Sequence, residues 1–208
     1  MIIKKLYANG FRNIEKADIE FSSGANILVG ENAEGKTNAV EAIYIFARGK
    51  SFRHRDDKEL VGFGKEGFRI GIEYTDKNGN NSLEYSFFGR ERRRIKNGYK
   101  LAKLTEMLGS FRAVLFFPDD LSFVKAGPEE RRNFLNIAIS QIYPSYINIY
   151  SSYKFALENR NAILKKASKG EYIDENELFG WSSSLAEYAS FIYRKSRLFK
   201  ACYSYSSS

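Results

Sequence analysis

Residues 30–37 read Gly30-Glu31-Asn32-Ala33-Glu34-Gly35-Lys36-Thr37 and match the pattern G-x-x-x-x-G-K-[ST] at every fixed position. A continuous apolar run at residues 26–29 precedes this segment, and apolar residues at helical spacing follow it from Ala39 to Ala47. A buried strand, a glycine-containing loop and a helix, in that order, are what a phosphate-binding loop requires. The segment therefore predicts an α/β fold arranged around the helix that begins at this loop, with Gly49 capping its end.

The two glycines allow the backbone to curl around a polyphosphate, so that successive N–H groups and the positive end of the helix dipole face one anion. We expect Lys36 to reach the β and γ phosphates and the Thr37 hydroxyl to ligate Mg²⁺. No Asn-Lys-x-Asp sequence, which reads guanine in GTPases, occurs. The predicted cofactors are ATP and Mg²⁺, and the predicted nucleotide-binding residues are Gly30, Glu31, Asn32, Ala33, Glu34, Gly35, Lys36 and Thr37.

Short strands are predicted on both sides of the loop. Residues 2–7 and 17–21 precede it, and residues 68–95 form strands separated by turns. Lys77-Asn78-Gly79-Asn80 and Lys96-Asn97-Gly98-Tyr99 indicate hairpins, because Asn-Gly accommodates the positive φ angles of type I′ turns. A short helix is expected at residues 101–108, and a buried strand at 113–117 that Pro118 ends. An antiparallel sheet is the expected result.

The sequence becomes helical from Pro128, which is well placed at a helix start. One apolar stripe continues from Tyr146 to about Gly170, and a second begins at Trp181, so two antiparallel helices are expected. We therefore predict two domains, a P-loop ATPase lobe at residues 1–125 and a helical lobe containing a helical hairpin at residues 126–208.

The 208 residues carry a formal net charge of +8, which favours phosphate-rich partners such as nucleic acid. The apolar runs are shorter than a membrane span needs and the first residues do not resemble a signal peptide, so a cytoplasmic protein without membrane contact is expected. Two basic clusters are candidate DNA contacts, with a solvated sheet face as the alternative interpretation. Their predicted DNA-binding residues are Arg53, Arg55, Arg92, Arg93 and Arg94.

The acidic residue that holds Mg²⁺ in P-loop hydrolases is harder to place. Residues 113–120 superficially resemble a Walker B strand that ends in Asp119 and Asp120. Pro118 cannot donate to a sheet ladder, so these acids more naturally begin a loop. No catalytic residue is assigned from the sequence.

Several segments together resemble the RecF family of SMC/ABC-type ATPases. They are Phe11-Arg12-Asn13, Val29 to Tyr44 around the loop, Gly49-Lys50-Ser51-Phe52-Arg53, residues 117–121, residues 124–128, Arg131-Arg132-Asn133-Phe134-Leu135 and Arg160-Asn161-Ala162. The resemblance covers roughly residues 1–195. It implies an ABC-type P-loop ATPase head, with a mixed and antiparallel sheet around the P-loop helix and a helical second lobe.

The same resemblance implies a function and partners. Such a head forms an ATP-dependent homodimer, binds single-stranded, gapped or junction DNA, and works with RecO-type and RecR-type mediators to load RecA. It would act in recombinational repair, replication and the SOS response. On this comparison, the segment around Asp119 links the two lobes.

Two departures from the family pattern stand out. Asn136 occupies a position where the family usually has aspartate, and nothing after Trp181 supplies a signature motif or a Walker B strand. The chain is therefore expected to be a truncated amino-terminal part that binds ATP without efficient hydrolysis. Two alternatives stay open, a self-contained P-loop kinase that uses Asp119 or Asp120, and a structural SMC-like head with no role in loading proteins onto DNA.

Overall fold

The computed structural model describes residues 1–53, 56–116 and 127–204. The chain divides into two compact units, Met1–Ser122 and Phe123–Ser208. The division that the sequence predicts between residues 125 and 126 lies outside the described residues, as do Asp119 and Asp120.

The first unit contains one six-stranded sheet in the order β2-β1-β3-β4-β5-β6, and each neighbouring pair is antiparallel. Helix α1 (Lys36–Arg48), a 3-10 helix (Asp57–Leu60) and the short helix α2 (Leu104–Met107) complete this unit. The strands are β1 (Ile2–Phe11), β2 (Ile14–Glu20), β3 (Gly67–Asp76), β4 (Gly79–Phe88), β5 (Glu91–Lys96) and β6 (Tyr99–Leu101).

One face of the sheet forms the core because apolar residues alternate along its central strands. The apolar side of α1 packs into the same cluster, through residues such as Ala42 and Phe46, and excludes water from it. The loop at residues 30–34, which leads into α1, remains exposed. The fully buried sheet residues include Leu6, Ala8, Phe68, Ile70, Ile72, Leu83, Tyr85 and Phe87.

Both predicted hairpins are present, but their turns differ. Between β5 and β6 the two loop residues Asn97 and Gly98 have φ of 50° and 82°, as a type I′ turn requires. Between β3 and β4 the loop residues are Lys77 and Asn78, and the positive φ falls at Gly79. The β3–β4 hairpin therefore does not place Asn78 and Gly79 together as the two loop residues of a type I′ turn, as the sequence predicts.

Two predicted buried strands are wrong. Residues 26–29 form no strand, and Ile27 and Val29 are 84% and 88% exposed. The described part of the segment predicted at 113–117 is also irregular, and Val114 and Phe116 are 96% and 73% exposed. An apolar run becomes a buried strand only where another strand accepts its backbone hydrogen bonds. No strand among the described residues pairs with either run.

The second unit consists of α3 (Pro128–Ile142), α4 (Ser145–Ala167) and α5 (Glu175–Ser204), with α3 beginning at the predicted proline. Lys195 lies over the Tyr143 ring, while Arg160 donates a hydrogen bond to Ser182. Tyr143 lies just before α4 and contacts the later part of α5, whereas Arg160 lies late in α4 and contacts the earlier part of α5. The two helices are therefore antiparallel. As for membranes, the helices of the described ranges lack the combination of length and apolar character that crossing a bilayer needs.

Asn136 has a structural partner inside this second unit. The hydroxyl of the buried Tyr146 donates a 2.6 Å hydrogen bond to Asn136 Oδ1. Burial raises the pKa of Tyr146 to about 12. The side chain at position 136 therefore satisfies a buried hydroxyl between α3 and α4.

Gly71 in β3 leaves room for the Tyr7 ring, which crosses it from β1. A Cβ atom at position 71 would overlap Cε1 and Cζ of Tyr7. We expect Gly71→Ala to lower the free energy of unfolding by about 1–3 kcal/mol, because the ring must leave its position. Gly24→Ala is the matched control, since its Cβ would meet nothing within 4 Å. Urea unfolding followed by circular dichroism measures both, and equal stability of the two variants would contradict the packing argument.

Candidate nucleotide-binding site

The loop at residues 30–34 is exposed and leads into α1 through the buried Gly35. Gly35 has φ of 97°, and its carbonyl accepts the first helical hydrogen bond, from Ala39 N–H at 2.8 Å. A Cβ atom at this position would lie 2.9 Å from Asn13 Oδ1. Both the backbone conformation and the lack of space therefore require glycine immediately before Lys36.

The Lys36 ammonium group turns back over this loop. It donates a 2.8 Å hydrogen bond to the Gly30 carbonyl oxygen and a second hydrogen bond to that of Glu31. The first N–H groups of α1 have no acceptor within the helix, so donors and one positive charge converge at the same end of α1. This arrangement can bind a polyphosphate, and the exposed Thr37 offers a hydroxyl ligand for a hard cation beside it.

Glu34 supplies a carboxylate of its own to the loop. Its Oε2 accepts a 2.7 Å hydrogen bond from the Glu31 backbone N–H. A Cβ atom at Gly30 would overlap the same oxygen, so the carboxylate lies directly against the start of the loop. A negatively charged side chain thus occupies a backbone donor of the candidate phosphate site.

Asn13, at the β1–β2 turn, holds the loop from its other side. Asn13 Nδ2 donates to the carbonyl oxygen of Ala33, which has a left-handed backbone with φ of 71°. Asn38 Nδ2, in the first turn of α1, donates a 2.6 Å hydrogen bond to Asn13 Oδ1. One residue thereby links the loop to the helix that follows it.

A buried carboxylate anchors α1 to the surrounding segments. Glu41 is fully buried and accepts hydrogen bonds from Arg12 Nε and Nη2, at 3.1 and 3.0 Å. Arg53 Nη2 and Ser51 Oγ also donate to its oxygens. Arg12 Nη1 reaches the Glu59 carbonyl oxygen at 2.7 Å. We call Arg12, Glu41, Ser51 and Arg53 the Glu41 cluster.

The Glu41 cluster keeps its carboxylate ionised. Burial alone would raise the pKa of Glu41, but hydrogen bonds from Arg12, Arg53 and Ser51 outweigh it and hold the pKa below its ordinary value. The charge of Glu41 is therefore balanced by guanidinium groups, and the two ion pairs are stabilised by their hydrogen bonds.

The sequence analysis does not predict the Glu41 cluster, although the sequence contains one sign of it. Glu41 falls on the apolar side of α1, between Ala39 and Ile45, where a charged side chain has no place unless it is paired. Its partners lie 29, 10 and 12 residues away, at Arg12, Ser51 and Arg53. The helical periodicity of α1 thus shows that a charged residue is buried, but it does not show which distant residues pair with it.

The sequence predicts Arg53 and Arg55 as DNA contacts. Arg53 is tied to Glu41 and to Asn38 Oδ1, which joins the Glu41 cluster to the Asn13 link. Arg55 lies outside the described residues. A DNA-binding role for either residue stays a prediction.

The three arginines of β5 do not act as one cluster. Arg92 pairs with Asp57 and lies 5.5 Å from the centre of the Phe87 ring, and Arg94 lies 5.2 Å from that of Tyr85. Both therefore face the core side of the sheet. Arg93 is exposed on the opposite face, because successive residues of a strand alternate. The predicted contacts Arg92, Arg93 and Arg94 thus divide between two surfaces.

Replacing the buried carboxylate should cost the first unit much of its stability. We expect Glu41→Gln to lower the free energy of unfolding at neutral pH by about 3 kcal/mol, because it leaves two guanidinium groups without a counter-charge. Since the pKa of Glu41 is lower in the folded chain, the contribution is complete above the ordinary value of 4.5 and is lost as the pH falls below it. The difference between variant and wild type should therefore shrink in acid.

Urea unfolding at neutral pH and below about pH 4 tests this expectation. The exposed Glu66→Gln is the control and should leave stability unchanged at both pH values. A deficit of Glu41→Gln that does not depend on pH would refute the ionised state assigned to this carboxylate.

Comparison with known proteins gives the context of this site. Residues 1–207 match the AAA ATPase domain family. The DNA replication and repair protein RecF of Clostridioides difficile (strain 630) is 40% identical over 194 residues, which are 93% of this chain and 51% of that protein. The RecF of Ruminiclostridium cellulolyticum is 39% identical over 202 residues, 96% of this chain and 54% of its own length.

Solved structures agree with the sequence relatives. The recombination mediator protein RecF-ATPrS of the RecFOR pathway superposes with a TM-score of 0.89 at 34% identity, covering 96% of this chain and 54% of that one. The RecF-ATP structure gives a TM-score of 0.87 at 32% identity, with the same coverage. These neighbours confirm the expected ATPase head fold.

The chain spans about half the length of the curated relatives it matches. The match to the family nevertheless extends over nearly the whole of this chain, and it includes the loop, α1 and the Glu41 cluster. The chain therefore belongs to the AAA ATPase domain family, and the relatives it resembles there are RecF proteins.

Proposed function

We propose that this chain binds ATP and Mg²⁺ through residues 30–37 and serves as the nucleotide-binding part of a DNA-repair protein of RecF type. The observation that carries the proposal is the convergence of the Lys36 ammonium group, the glycine-dependent turn at Gly35 and the start of α1 at one loop. The similarity to a solved structure of RecF with ATP supports ATP as the nucleotide.

The residues of the loop have distinct proposed roles. Lys36 exchanges the two loop carbonyls for the β and γ phosphates, which accept its hydrogen bonds as charged partners. Backbone N–H groups at the start of α1 orient the phosphates, and Thr37 supplies a hydroxyl ligand. Mg²⁺, when bound, neutralises phosphate charge. Asn13 and Asn38 keep the loop and α1 in register while the nucleotide enters.

The wider function is proposed from the RecF relatives. ATP occupancy would favour a homodimer by mass action, and the dimer would bind single-stranded, gapped or junction DNA in the cytoplasm. RecO-type and RecR-type mediators are the proposed partners, and RecA loading during recombinational repair, replication and the SOS response is the proposed outcome. We propose that this chain hydrolyses ATP slowly.

The lysine provides the direct test of nucleotide binding. A fluorescent ATP analogue with Mg²⁺ should bind the chain saturably, and Lys36→Ala should weaken binding at least about tenfold, because charge-assisted hydrogen bonds to phosphate are removed. Unchanged affinity of Lys36→Ala would contradict the proposed site. Rapid phosphate release by the wild-type chain that Lys36→Ala abolishes would contradict slow hydrolysis.

The carboxylate within the loop should oppose nucleotide binding. Phosphates that reach the Glu31 N–H must displace Glu34 Oε2, and the two negative charges repel each other. We expect Glu34→Gln to bind the same analogue about fivefold more tightly, corresponding to about 1 kcal/mol of relieved repulsion. Glu31→Gln removes an equal charge whose carboxylate makes no loop hydrogen bond among the described residues, so its effect should be smaller. Weaker binding by Glu34→Gln would show that this carboxylate assists the nucleotide.

A further inference from the structure

The face of the sheet that points away from α1 carries a line of polar residues across five strands. Lys16 of β2 is opposite Asn9 of β1, Asn9 is opposite Arg69 of β3, Arg69 is opposite Ser86 of β4, and Ser86 is opposite Arg93 of β5. We call these five residues the cationic row. Every member is a hydrogen-bond donor, and three of them are cations.

Strand alternation places the cationic row on the outer face. Ala8, Ile70 and Tyr85 precede or follow row members along their strands and are buried in the core. Lys16, Arg69 and Arg93 are themselves exposed. The adjacent Arg92 and Arg94, by contrast, contact Phe87 and Tyr85 on the other face.

The three cations are available to a partner. Among the residues that the structure describes, none of them forms an ion pair. The carboxylates of the neighbouring line on this face have partners of their own. Asp18 pairs with Lys5 at 3.0 Å, and Glu84 interacts with the Tyr7 hydroxyl.

The spacing of the cationic row suits a repeating anion. Neighbouring strands lie about 4.8 Å apart, so Lys16, Arg69 and Arg93 follow one another at intervals of about 10 Å. The cationic row is about 19 Å long, and one DNA strand carries a charge about every 3.4 Å along the helix axis, so the row can face several phosphates of the backbone. Asn9 and Ser86 supply neutral donors between them.

We infer that the cationic row is a phosphate-backbone contact for DNA, with Lys16, Arg69 and Arg93 as its charged members. The inference rests on the DNA binding given above as part of the proposed function, and it assigns that binding to one face of the sheet. We expect the contact to be independent of base sequence, because a five-stranded face about 19 Å across is too wide to enter the major groove, which is about 12 Å wide.

The test compares two triple variants with the same loss of charge. One is Lys16→Gln/Arg69→Gln/Arg93→Gln. The other is Lys58→Gln/Lys77→Gln/Lys103→Gln, which removes three exposed cations of the first unit that lie outside the row. Fluorescence anisotropy measures binding of a gapped DNA duplex to the 208-residue chain, with ATP and Mg²⁺ present, over a series of salt concentrations.

The row variant should flatten the dependence of log affinity on log salt by about 0.9 for each phosphate that is no longer neutralised, while the control keeps the wild-type slope. Equal slopes for the two variants would overturn the inference and leave DNA binding in place. Absence of DNA binding by the wild-type chain would overturn the proposed DNA binding and this inference with it.

The urea unfolding curve of the row variant shows whether that variant folds. If it does not fold, a single substitution tests the cationic row instead. Glu91 lies two residues before Arg93 on the same face and forms no ion pair with a described residue. Glu91→Gln removes repulsion toward phosphate at the end of the cationic row, so the duplex should bind more tightly. Unchanged or weaker binding would overturn the inference.

Discussion

The ionised carboxylate of Glu41 is the constraint around which the start of α1 and its neighbouring segments are organised. A charge buried in a protein is tolerated only with counter-charges and hydrogen bonds, and here Arg12 and Arg53 supply both. These two arginines come from the β1–β2 turn and from the segment after α1, so one side chain of α1 fixes two flanking segments. Because Glu41 lies little more than one helical turn after Lys36, this anchoring reaches the loop.

The loop is held from outside as well as by its own sequence. Asn13 contacts the Ala33 carbonyl, Asn38 contacts Asn13, and Arg53 contacts Asn38. The chain of hydrogen bonds therefore runs from the loop at residues 30–35 to the buried carboxylate without a break. A pre-shaped loop lowers the entropy lost when a ligand binds. Lys36 and Glu34 are the side chains that would have to release their bonds to the loop backbone for the proposed nucleotide to bind.

Local signals in the sequence are sufficient for much of this fold. The glycines and apolar stripe predict α1 together with its cap at Gly49, and Pro128 predicts the start of α3. Apolar runs without a local partner are misleading. Residues 26–29 and 113–116 have the composition of buried strands, yet pairing depends on residues distant in sequence, which composition does not encode. For the same reason the sequence does not reveal the role of Glu41, and it groups Arg92 with Arg93 although strand alternation separates them.

The crossing of the Tyr7 ring over Gly71 links two positions that are 64 residues apart in sequence but directly opposite in the β1–β3 register. The space above the strand is shared, so the ring can be large only where the facing residue has no side chain. In a set of homologous sequences the sizes of these two residues should therefore covary. A side chain at position 71 should be tolerated only where position 7 carries a smaller residue than tyrosine. The order of the two substitutions then matters. A smaller residue at position 7 must arise before a side chain at position 71 can be accommodated.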